Sequence, residues 1–159
     1  MRKNPQQARR RSERGFTLME LMIVIAIIGI LVGVGVYGWK QGIKNANENA
    51  AIQQLEALRK IQASYSLGHR GDYGTFDQLV KSGTLEDPRF AESPPTVQGY
   101  TYTMEVIPGG NGQRAFYKIN ADPMDGGTGT NHFYIDADVS TIRVNGEKAA
   151  TPTDPPLTK

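Results

Sequence analysis

The sequence predicts an α+β chain in which one long N-terminal helix packs on a four-stranded antiparallel sheet. Three observations carry this. Residues 16–39 are almost uninterruptedly apolar or glycine; an apolar stripe of helical period continues to residue 67 without a proline; and residues 100–144 alternate polar and apolar in short segments separated by turn residues. The 159 residues leave room for one domain with appendages rather than two domains. The expected divisions are a basic leader over 1–15, a membrane helix over 16–39, its amphipathic continuation over 40–67, a globular part over 68–147 and a disordered tail over 148–159.

Charge is distributed unevenly. Six of the 18 basic residues but only one of the 16 acidic residues lie in residues 1–15, so the remainder carries 12 against 15 and is near −3. The overall basic balance therefore belongs to the leader, and charge gives no reason to expect nucleic acid as a partner. The chain has no cysteine, which excludes disulfides, thiolate metal sites and cysteine nucleophiles.

The run from Phe16 to Trp39 exceeds the ~20 apolar residues needed to cross a bilayer. The basic excess precedes it, so the positive-inside rule keeps the N-terminus cytoplasmic and exports the chain beyond Lys40. A general secretory leader would be shorter and end in small residues, and Arg10-Arg11 lacks the continuation of a twin-arginine signal. A plain single-span anchor leaves Glu20 unexplained. A carboxylate inside an apolar helix costs roughly 2.5–3.5 kcal/mol on insertion scales and normally has a partner. Cutting the chain before Phe16 would supply one, because the new α-amino group is largely protonated at neutral pH.

Gly15-Phe16-Thr17-Leu18-Met19-Glu20, behind a short basic leader and ahead of an apolar helix, resembles the processing site of the type IV pilin family. The resemblance implies cleavage after Gly15 by a prepilin peptidase, N-methylation of Phe16, and pairing of Glu20 with the Phe16 amine of a neighbouring subunit. It implies a subunit inserted in the inner membrane, N-terminus cytoplasmic and C-terminus periplasmic. From there an assembly platform would polymerise it with identical subunits into a helical filament at the cell surface or in the periplasm. A type IV pilus is the leading expectation. The alternatives are a major pseudopilin of type II secretion and a monomeric binding module on a single-span anchor. One departure stands out: Tyr37 occupies the place where many members carry proline, and glycines surround it. Gly29 with Gly33, and Gly38 with Gly42, have the spacing that lets helices approach closely.

Beyond the membrane, Ile52, Leu55, Leu58, Ile61 and Tyr65 form one helical stripe suited to covering a sheet. Glu56 and Lys60 stand as an i,i+4 pair. Gly68 to Gly71 ends this helix, and Thr75 and Gly83 delimit a short second one. Residues 88–99 read as a proline-rich connection. The four strand faces are Tyr100–Val106, Ala115–Ala121, Phe133–Ile135 and Ile142–Val144, the last two joined by a hairpin around Asp136. This helix-on-sheet product again resembles a pilin headpiece.

Asp122, Asp125, Asp136 and Asp138 are the candidate metal ligands. The related major pseudopilins use a calcium loop near this place, but Asp122-Pro-Met-Asp-Gly-Gly has no EF-hand pattern and reads as solvated turn residues; no cofactor is expected. His69 and His132 are the only histidines, and no nucleophile elbow, zinc-protease motif or phosphate loop is present, so an enzyme is not expected. Phe16, Tyr37, Trp39 and Tyr65 read as interface and packing aromatics rather than an electron path.

Overall fold

The computed structural model describes residues 15–110, 112–139 and 141–158; residues 1–14 of the expected leader lie outside the described residues. The chain divides into two compact units, Met1–Gly38 and Trp39–Lys159. Helix α1, Leu18–Gly68, enters both and runs for 51 residues. In the first unit every described side chain is exposed, and the helix is long and apolar enough to cross a membrane.

In the second unit the expected stripe becomes the floor of the core. Leu55 and Leu58 are fully buried and Ala51 nearly so, with Ile52, Ile61 and Tyr65 packed at the margin. The helix stops where the sequence places its end, by a 6→1 hydrogen bond from Gly71 N–H to the Ser66 carbonyl at 2.9 Å. The residue in the left-handed position is Arg70, φ 56°, not a glycine. Glu56 is paired with Arg59 at 3.4 Å, one residue short of the expected Lys60. Partners three and four apart are both neighbours on a helix, so the sequence alone leaves that choice open.

Helix α2, Phe76–Lys81, carries a full capping box. The Thr75 hydroxyl accepts from Gln78 N–H, and the Gln78 side chain accepts from Thr75 N–H. Gly83, φ +71°, follows the last turn. Leu79 is the buried residue of this helix.

The sheet is an antiparallel meander, β1 Thr96–Val97, β2 Tyr100–Ile107, β3 Phe116–Pro123, β4 His132–Asp136 and β5 Arg143–Asn145, in spatial order β1-β2-β3-β4-β5. The four expected strands are present. The addition is β1, two residues of the proline-rich connection that pair with Thr101 and Tyr100. Phe90, in a 3₁₀ turn over Pro88–Ala91, is buried beside Phe76 and Tyr102. The inward faces alternate as the period-2 pattern requires: Tyr100 and Tyr102, Tyr117, Ile119 and Ala121, Phe133 and Ile135 are all buried. They meet the Leu55–Leu58 face of α1 in one core.

The tail differs from expectation. Composition predicts disorder over residues 148–159, but Val144 N–H donates to the Pro155 carbonyl at 3.1 Å, and Leu157 N–H to the Ile142 carbonyl at 2.7 Å. Asn120 Nδ2 donates to the Ala150 carbonyl at 2.8 Å, and Ala150 is buried. The reason is local. Asp154 accepts from Thr151 N–H at 2.7 Å and its hydroxyl at 2.8 Å, closing a turn that returns the chain to β5.

Candidate assembly site and the β3–β4 loop

The first turn of α1 is built by Thr17 and Glu20. Glu20 N–H donates to Thr17 Oγ1 at 3.2 Å, while Glu20 Oε2 accepts from Thr17 N–H at 2.8 Å and from the Thr17 hydroxyl at 2.9 Å. This is a capping box: the threonine covers a helix N–H and the glutamate reaches back to the cap. The T-x-x-E spacing lies within the processing motif, and a reading of that motif for cleavage alone passes over its helix-starting role. Glu20 therefore has hydrogen-bond partners within its own chain but no cation among the described residues.

Gly15 and Phe16 precede this turn outside the helix, with Phe16 92% exposed. A Cβ at Gly15 would meet no described residue within 4 Å. The same is true at Gly29, Gly33, Gly38 and Gly42. Among the described residues nothing packs on their bare sides, and the large apolar residues from Leu18 to Val36 are exposed. A continuous apolar surface of this length requires lipid or protein around it.

The four candidate carboxylates do not converge. Asp122 Oδ1 lies 2.6 Å from His132 Nδ1. Asp125 accepts from Gly127 N–H at 2.6 Å and Thr128 N–H at 2.9 Å, forming a local turn. Asp136 is buried and accepts from the Tyr134 hydroxyl and from Asp138 and Val139 N–H. Asp138 is paired with Arg114. Among the described residues no group of three histidines or carboxylates is placed to hold a metal. His69 stacks on Tyr65 with ring centroids 3.7 Å apart.

What holds the β3–β4 loop comes instead from α1. Asn47 Nδ2 donates to the Thr128 carbonyl at 2.8 Å. Glu48 Oε1 accepts from Thr130 N–H at 2.8 Å and Asn131 N–H at 3.3 Å, and Oε2 from Asn131 Nδ2 at 2.7 Å. Tyr100 reaches the same loop, its hydroxyl donating to the Asn131 carbonyl at 2.8 Å. Burial raises the Tyr100 phenol well above its ordinary value, and the Glu48 charge adds to this. The signal for Glu48 was in the sequence: it precedes Ala51 by three and Leu55 by seven, so it occupies the core-facing phase of the stripe.

Comparison with known proteins follows the same division. The family model for the prokaryotic N-terminal methylation motif matches residues 10–36. Core protein G of the type II secretion system of Vibrio cholerae is 30% identical over 131 residues, covering 76% of this chain and 88% of that protein. Its Escherichia coli counterpart is 30% identical over 130 residues, 74% of this chain and 86% of the relative. Type IV major pilin protein PilE1 of Neisseria gonorrhoeae is 40% identical over 57 residues, 36% of this chain and 34% of its own. No solved structure matches. With a membrane-length helix, a helix-on-sheet headpiece and relatives matched along most of its length, the chain belongs to the type IV pilin and pseudopilin family of structural, polymerising, non-catalytic subunits.

Proposed function

We propose that this chain is a major pseudopilin-type subunit, the repeating unit of a short periplasmic filament in a type II secretion machine. The observation that carries this reading is where the likeness extends. The match to core protein G runs over three quarters of this chain, headpiece included, whereas the match to fimbrial and pilin proteins covers 36–50% of it. The leading expectation from sequence, a surface type IV pilus, rests on the N-terminal motif that both groups share.

In this reading the precursor sits in the inner membrane with residues 1–15 cytoplasmic. A prepilin peptidase cuts between Gly15 and Phe16, and Phe16 is methylated. An inner-membrane platform then draws subunits into a helical polymer, where the apolar helices replace lipid contacts with one another. Glu20 pairs there with the Phe16 amine of a neighbour, because a charge in a dry core costs several kcal/mol unless matched. The capping-box geometry supports this, since it holds the carboxylate at the end of the helix nearest the new amine. Gly29, Gly33, Gly38 and Gly42 supply close-approach surfaces.

The test has two parts. Intact-mass analysis of the chain from its native membrane is expected to give a product beginning at methylated Phe16, and an unprocessed chain contradicts the reading. Deleting the gene is expected to reduce protein release into the medium and leave surface filaments intact. Loss of surface filaments with secretion unchanged assigns the chain to a pilus instead.

A further inference from the structure

We propose that the β3–β4 loop, with Met124 at its front, rests on the phospholipid surface from which the chain emerges. The proposal rests on the membrane-inserted reading of the precursor and adds a second contact with the bilayer, made by the headpiece. In the second unit the large apolar side chains left exposed among the described residues are Trp39, Ile43, Leu67 and Met124. Scattered singly, such residues need no explanation. Three of these four gather at one end: Trp39 and Ile43 lie in the first turns of α1 beyond the apolar run, and the loop carries Met124 to the same level.

Contacts of the loop fix that level. Pro123 and Asp125, the sequence neighbours of Met124, line a cavity of about 390 Å³ together with Lys44. Met124 N–H donates to the Gly99 carbonyl at 3.0 Å. A Cβ at Gly99 would stand 3.0 Å from Asn47 Nδ2, the atom that donates to the Thr128 carbonyl. Lys44 follows Trp39 by about 7.5 Å along the helix, at 1.5 Å per residue. The headgroup layer is about 5–7.5 Å deep on each face, half the difference between a ~40–45 Å bilayer and its ~30 Å hydrocarbon core. With tryptophan seated at the headgroup level, as is usual at a membrane exit, the loop meets the outer edge of that layer.

The chemistry at this end suits lipid. Lys40 and Lys44 supply two cations for the phosphates. The acidic residues beside Met124 are committed within the headpiece: Asp122 faces His132 at 2.6 Å, and Asp125 accepts from Gly127 and Thr128 N–H. What the loop presents outward is Met124 with Gly126 and Gly127, all exposed. A flexible, unbranched apolar side chain flanked by residues without side chains enters a headgroup layer and brings no unpaired charge with it. The bilayer is the surface whose place beside this end follows from the chain itself, because the apolar run stops at Trp39. Leu67, about 42 Å beyond Trp39 along α1, is out of its reach. Extraction of a subunit breaks this loop contact together with those of the apolar helix.

The experiment uses the full-length chain, which has no cysteine, so one introduced thiol carries one label. Gly126→Cys, Leu67→Cys and Ile28→Cys are each labelled with a bimane and reconstituted in vesicles of phosphatidylethanolamine and phosphatidylglycerol. A Cβ at Gly126 meets nothing within 4 Å, so the label is tolerated there. Lipids with a headgroup nitroxide are expected to quench position 126 several-fold more than position 67. Adding Met124→Glu is expected to bring position 126 down to the level of 67. Equal quenching at 126 and 67 overturns the proposal, as does quenching at 126 that Met124→Glu leaves unchanged. A label at 126 that is shielded from aqueous iodide but untouched by the nitroxide is covered by protein, which also overturns it. Failure of a mid-chain nitroxide to quench position 28 overturns the membrane reading itself.

Discussion

The side-chain amide of Gln62 pairs with both main-chain groups of Gly74: Oε1 accepts its N–H at 3.0 Å and Nε2 donates to its carbonyl at 2.6 Å. Gln62 is fully buried in α1, and Gly74 is the residue before the Thr75 cap of α2. One side chain thus sets where the second helix begins. A Cβ on Gly74 would stand 3.0 Å from side-chain atoms of both Leu79 and Tyr65, so any larger residue there obliges these two side chains to shift.

Replacing Gln62 by leucine leaves two buried backbone groups without partners. Each unmet group costs about 1–3 kcal/mol, so a loss of about 3 kcal/mol is expected for Gln62→Leu. Thermal denaturation of a soluble fragment starting at residue 40 measures it. A change below about 1 kcal/mol would show that water replaces the amide.

Glu20→Ala is expected to insert into the membrane as readily as wild type, since it removes a charge from the bilayer. It loses the back-bond to Thr17 N–H and the partner of the Phe16 amine, so assembled filament should fall several-fold. Membrane fractionation and filament yield separate the two effects. A normal yield contradicts the pairing.

Calcium is expected to leave the midpoint of the headpiece unchanged. Asp122, Asp125, Asp136 and Asp138 have separate partners, and Glu48 already takes the loop amides. A specific ion at a hundredfold excess over its Kd would add about 2.7 kcal/mol. An upward shift of several degrees, lost on Asp125→Ala, would refute this. Glu48→Ala by contrast should destabilise by about 2 kcal/mol, through loss of the hydrogen bonds its carboxylate accepts from the loop.

Acid is expected to loosen the tail before the core. The Thr151 N–H and hydroxyl hold the Asp154 carboxyl below the ordinary aspartate value. A lowered folded pKa means stabilisation present above the unfolded value near 4 and lost as pH falls through the folded one. Amide exchange at Thr151 and Leu157 should therefore accelerate below about pH 4 while Ile119 stays protected. Asp154→Asn should remove this pH dependence.

Arg70→Gly should stabilise the headpiece. A non-glycine residue at φ 56° carries a left-handed penalty of roughly 1–2 kcal/mol, partly offset by the greater unfolded freedom of glycine. A net gain of about 0.5–1 kcal/mol is expected by denaturant melting. An unchanged midpoint would place a compensating contact at the Arg70 side chain.

Much of this architecture was legible because it rests on periodicity. Leu55 and Leu58 recur at helical spacing, and Ile119 and Phe133 stand in alternating runs, so their burial follows from pattern. Gln62 and Glu48 escaped because apolar templates do not register a polar residue on the buried phase, although their spacing from Leu55 marks them. The tail escaped for a different reason. Its threonines, prolines and aspartate have the composition of a disordered segment, and only the Thr151–Asp154 turn and the β5 edge turn them into structure. At the N-terminus, Glu20 was legible as a charge needing a partner, but its bond to Thr17 was hidden by the motif containing both.

The segment lying along β5 ends in Pro155-Pro156-Leu157, and prolines have no N–H to offer a further strand. Sheet growth on that flank reaches a dead end. A protein made to polymerise must do so in one way only, and an open row of strand donors would invite a second, lateral kind of fibre. The two prolines close that flank of the sheet to a further strand.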